Sequence, residues 1–166
     1  STPLLGGMLT ASGVSAFDGH HNMPAGIFGE FRTRLYQHYG GSNKVSTGWV
    51  SNTLFEPHIG DSIFKAMAKS EKYLQINYHY ELLKVNKEGN TITGVLFYDI
   101  QNQKNILIKA KRYIDATELG DVLAAAKIPY DLGMESNDVT KEQVNKNGAN
   151  DIVQDITYVA VLKDYV

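Results

Sequence analysis

Apolar residues recur with two different periods along this chain, and the switch between them marks out the elements. After Pro24, which suits a first helical turn, Ile27, Phe28, Phe31 and Leu35 fall at i, i+1, i+4 and i+8 and predict one apolar helix face. Glu30 lies near the start of this helix, and Gly40-Gly41 stop it. A second helix is predicted from Pro57, with Ile59, Ile63, Ala66 and Met67 on its inner side and lysines in its last turn; Gly60 weakens its first turn. The period then drops towards two. "YLQINYHYELLKV", "NTITGVLFYDI" and "KNILIKAKRYID" read as three strands separated by turn signals at residues 87–90 and 102–103, a β-meander.

The last of these runs continues through Tyr113 and Ile114 to Asp115, and residues 122–126 read as helix, so the chain turns sharply between Asp115 and Asp121. A strand-to-helix turn of small residues leaves backbone N–H groups at a helix N-terminus for a polar or anionic ligand. Alternatively, Thr117 or Asp121 caps an ordinary corner. Elsewhere the pattern is irregular. The first twenty-odd residues, rich in Gly, Ser and Ala, predict a long loop with at most a short helical turn. Residues 131–151 predict a polar connector with one helical turn near Lys141 to Asn145, and "IVQDITYVAVLKDYV" returns to β character.

Helix, strand, meander, tight turn and helix make an α/β order. At 166 residues the length suits one domain. A net charge of −2 with no Lys/Arg cluster predicts no nucleic-acid or anionic-membrane partner, and no apolar run approaches the roughly 18 residues of a membrane span. Zero cysteines exclude disulfides and thiolate chemistry and fit a reducing or an oxidising compartment, export and the periplasm included.

Three blocks, "LLGGMLTASGVSAFDGHHNMPAGIFGEF", "GWVSNTLFEPHIGDSIFKAM" and "YIDATELGDVLAAAKIPYDLGME", together resemble the FAD-dependent oxidoreductase family with the two-dinucleotide-binding-domain flavin fold. The resemblance implies a partial FAD/NAD(P)-binding domain, Rossmann-like and three-layered, with a β-meander, over residues 1–150, and the first strand of a substrate domain over 151–166. It implies an internal fragment: no G-x-G-x-x-G occurs in these residues, so the family's leading unit would lie ahead of Ser1. It assigns FAD to the complete flavoprotein, with Gly6, Gly7 and Met8 as the turn near the pyrophosphate and ribityl chain. Ala116, Thr117, Gly120 and Asp121 correspond to the second cofactor-binding turn, where the Asp carboxylate meets ribityl hydroxyls and the helix N-terminus lies near the pyrophosphate. The missing unit would leave half of that cradle absent from these residues and a sheet edge open to association as a homo-oligomer.

The loop after Gly7 runs toward the flavin ring in such folds, which makes His20 and His21 the candidate catalytic proton carriers; the plainer role is a loop histidine capping a backbone group. Asp18 is placed to orient either one or to cap the turn at Gly19. The histidines lack metal-ligand spacing, so no metal is expected. Arg32 and Arg34 read as solvated surface, and Trp49 and Phe55 as core or as the wall of a substrate pocket. The function expected is flavin-mediated redox of a small-molecule or carbohydrate substrate, with the cofactor supplying the redox chemistry. Two alternatives stand beside it. One is part of an exported bacterial polysaccharide-processing protein of the xanthan-lyase-like kind, and the other is a non-catalytic α/β module that binds no flavin by itself.

Overall fold

The computed structural model describes residues 3–17, 22–23, 25–46, 51, 53–143, 145, 148–155 and 159–160. The chain divides into two units, residues 2–78 with 158–166, and residues 79–157. Each is built around its own apolar cluster.

In the first unit, a short 3₁₀ turn at Gly7–Leu9 precedes helices α1 (Gly26–Tyr39) and α2 (Pro57–Ser70). Gly40 ends α1 in the left-handed conformation at φ 83°, and Pro57 opens α2, where its missing N–H costs nothing. Phe31 and Leu35 are fully buried with Phe55, and Leu9, Phe17, Ile59, Ile63, Phe64 and Met67 pack around them. The Phe31 ring stacks on Phe64 at 4.2 Å and meets Phe17 and Phe55 edge-on at 5.2 and 5.4 Å. Ile27, expected on this face, is 72% exposed. Ile27 stands only about 40° from Phe31 round the helix, so its phase does not expose it; it lies in the first turn, at the end of the stripe that Phe31 and Leu35 bury. In α2 it is Phe64, not the exposed Ala66, that joins the cluster.

The second unit holds the meander as an antiparallel sheet in the order β1 (Tyr80–Glu88), β2 (Thr91–Asp99), β3 (Lys104–Ile108). Glu88 pairs with Thr91 across a two-residue turn in which Gly89 takes φ 58°. At the other hairpin the Asp99 carboxylate accepts from Asn102 N and Nδ2 at 3.0 and 2.8 Å. Val85 and Val95 are buried with Ala126, and Val122 and Tyr113 pack beside them, so α3 (Asp121–Ala125) helps cover the sheet.

Two strand boundaries differ from the sequence pattern. Pairing begins at Tyr80↔Asp99, so residues 73–79 have no partner in β2, and Tyr73 is 92% exposed. It ends at Val95↔Ile108, so Tyr113 and Ile114 lie outside β3. β propensity without a partner ladder makes no strand.

The connector forms its helical turn at α4 (Asn137–Thr140), earlier than expected, because Lys141 takes the left-handed conformation at φ 62° and stops it. Asn145 then clamps the loop: its Nδ2 donates to the carbonyls of Glu135 and Gly148. Met134 bridges Asn150. The terminal β run falls largely outside the described residues.

Candidate cofactor-contacting turns

Asp115 is the hub of the turn between β3 and α3. Its Oδ1 accepts from Thr117 N at 3.0 Å and from the Thr117 hydroxyl at 2.7 Å, and its Oδ2 accepts from Leu123 N at 2.8 Å. The Thr117 hydroxyl in turn accepts from Asp121 N at 2.7 Å. The helix donors that the sequence pattern leaves open to a ligand are thus held by the chain itself. The capping carboxylate is Asp115, supported by Thr117; Asp121 does not cap. The Thr117 amide first, then its hydroxyl and the Leu123 amide, hold the Asp115 carboxyl below its ordinary value.

Gly120 precedes α3 at φ 68°, a backbone that L side chains adopt only with strain. A Cβ built there meets nothing nearer than Leu123 Cβ at 3.9 Å, so the backbone is open to approach. Ala116, Thr117 and Asp121 are exposed, and the Asp121 carboxylate makes no hydrogen bond or ion pair among the described residues. Sequence reasoning offered Thr117 as a cap, and its hydroxyl does accept from Asp121 N, but it overlooked Asp115, although D-x-T is the signature of a side chain that bonds the backbone two residues on.

The other turn is Gly6-Gly7-Met8. Gly6 adopts φ 109°, and a Cβ there would lie 2.8 Å from Phe64 Cδ2 and from Thr10 Cγ2, so only glycine fits. Leu5 N donates to Asp61 Oδ1 at 2.8 Å, and the buried Thr10 hydroxyl donates to the Leu5 carbonyl at 2.6 Å. Asp61, 7% exposed, also receives Lys65 Nζ at 2.7 Å. Burial pushes the Asp61 carboxyl up, but the hydrogen bonds from Lys65 and Leu5 and the Lys65 charge outweigh it, and the group titrates below its ordinary value. Met8 is 63% exposed. Nothing in the sequence pattern marked Asp61 as the anchor of this turn.

Each of these sets is therefore brought together locally, one turn in each unit. His20, His21, Asp18 and Trp49 lie outside the described residues. Phe55 is core, 4% exposed, and also borders a cavity. Arg34 is partly exposed, at the surface as expected, and pairs with Glu30 at 2.6 Å. Arg32 is not surface: it is 9% exposed, donates to the Tyr36 hydroxyl at 2.9 and 3.1 Å, and lies 5.1 Å from the Phe28 ring centre. Among the described residues no three His, Asp or Glu side chains are grouped to hold a metal, and no helix is long and apolar enough to cross a membrane.

A family model described as FAD dependent oxidoreductase matches residues 1–165. The chain belongs to the FAD-dependent oxidoreductase family. No curated protein and no solved structure matches it. Membership in this flavin-linked redox family agrees with the α/β content.

Proposed function

We propose that these residues form part of the FAD-binding region of a flavin-dependent oxidoreductase, Rossmann-like in the complete protein. In this reading Gly6, Gly7 and Met8 form one cofactor turn, and Ala116, Thr117, Gly120 and Asp121 the other. The family match carries this reading.

The chemistry of the second turn selects which part of FAD it suits. Asp115 and Thr117 consume the amides of Asp121 and Leu123, and two carboxylates flank the helix start, an arrangement that repels phosphate. The exposed Asp121 carboxylate is an acceptor with no donor among the described residues, which suits the hydroxyls of a ribityl chain. Bound FAD supplies the redox chemistry, and the protein's share is to position it. Gly120 allows close backbone approach, and Asp121 orients hydroxyls. His20 and His21 remain the proposed proton carriers, acting on a small-molecule or carbohydrate substrate.

The test is the visible spectrum of the purified native protein before and after denaturation. A released flavin peak, weakened or lost in Asp121→Ala, is the expected result. A colourless protein that also fails to change FAD fluorescence on titration removes the reading. An unsaturated, ultraviolet-absorbing product from a polyanionic glycan would favour polysaccharide cleavage instead.

A further inference from the structure

The first unit contains a cavity of about 510 Å³ that the flavin reading does not use. Small-molecule sites occupy roughly 300–1,000 Å³. Its walls are mainly apolar: Val14, Leu54, Phe55 and Val159 line it. Two residues of opposite charge, Lys44 and Glu56, also line it. Both side chains are exposed, which places them at the mouth.

The ion pairs among the described residues are Arg34–Glu30 and Lys65–Asp61, so Lys44 and Glu56 line one space without meeting. Two further polar groups border it. Ser15 is 7% exposed, and its hydroxyl has no hydrogen-bond partner among the described residues. The Tyr39 hydroxyl accepts from Glu56 N at 3.0 Å, which leaves its own proton to donate.

We propose that this cavity binds a zwitterionic α-amino acid with an apolar side chain. Its carboxylate pairs with Lys44, its ammonium pairs with Glu56, and its side chain lies on the apolar wall. Only a ligand carrying both charges satisfies both groups. A plain carboxylic acid faces repulsion from Glu56, and a plain amine faces repulsion from Lys44. The Ser15 and Tyr39 hydroxyls add donors for the carboxylate. The proposal stands apart from flavin binding, because every residue it uses lies in the first unit and its readout needs no FAD.

The experiment is isothermal titration of the full chain with L-leucine, 4-methylpentanoate and 3-methylbutylamine at low salt. L-Leucine should bind, and each singly charged analogue about tenfold or more weakly, the factor expected from losing one charge-assisted contact. Lys44→Met and Glu56→Gln should each weaken L-leucine by a similar factor. The comparison of ligands on the unaltered chain gives the same answer should either variant fail to fold. Absence of L-leucine binding into the millimolar range overturns the proposal, as does equal binding of the carboxylate or the amine.

Discussion

At the scale of single residues, Asp115 and Arg32 show how a charged side chain acquires a role that its type does not announce. Asp115 ends an apolar run, and its three hydrogen bonds hold Thr117 and Leu123 in place at the start of α3. Because its folded-state titration lies below the ordinary value of about 3.9, it stabilises the fold above that pH, and this contribution disappears as pH falls through the folded value. The Leu123 amide is the reporter. Its protection, measured against the intrinsic exchange rate at each pH, should be high at neutral pH and fall in acid, while Asp115→Asn should show lower protection already at pH 7. Equal Leu123 exchange in the two proteins would show that the carboxylate does not hold the helix start. Arg32 and Arg34 are two residues apart in α1, yet only Arg34 is partly exposed. A helix turns them about 200° from one another, and Arg32 falls toward Phe28 and Tyr36.

At the scale of elements, propensity located the helices and the meander, while partners set the boundaries. β1 begins where β2 ends, at Tyr80↔Asp99, whereas β3 ends at Ile108↔Val95 although β2 runs on to Thr91. In α2, Gly60 reads in sequence as a weak point. In the fold it is a close-approach position, since a Cβ there would lie 2.6 Å from Phe55 Cε2 and 3.2 Å from Thr10 Cγ2. Gly60→Ala gains about 1 kcal/mol of helix propensity and loses about 1–3 kcal/mol to overpacking, so a net loss is expected. Thermal denaturation followed by circular dichroism checks this: a raised melting temperature would mean that Phe55 yields freely. Gly133 is tighter still, because a Cβ there would enter the Asn150 carbonyl, the partner of Met134 in its bridge.

At the scale of the whole molecule, the described residues form two apolar centres, Phe31–Leu35–Phe55 and Val85–Val95–Ala126. Phe31 touches three aromatic rings within 5.4 Å and is completely buried, so Phe31→Ala should cost about 3–5 kcal/mol. Chemical denaturation measures it, and a cost under about 1 kcal/mol would mean that the aromatic cluster closes over the gap. The sequence by itself determined the α/β order, the Gly40 stop, the Pro57 start, the Gly89-Asn90 hairpin and the family, because each rests on local backbone chemistry or on residue order over nearly the whole chain. Only the tertiary structure decided that Asp115 closes the α3 donors, that Asp61 ties down the Gly6 turn, that Arg32 is buried, and that Lys44 and Glu56 share a cavity. The Asp61–Leu5 contact and the Lys44–Glu56 cavity join residues whose spacing follows no helical or strand period, Arg32 is buried with its own helical neighbours Phe28 and Tyr36, and a one-dimensional pattern carries no record of which surfaces meet.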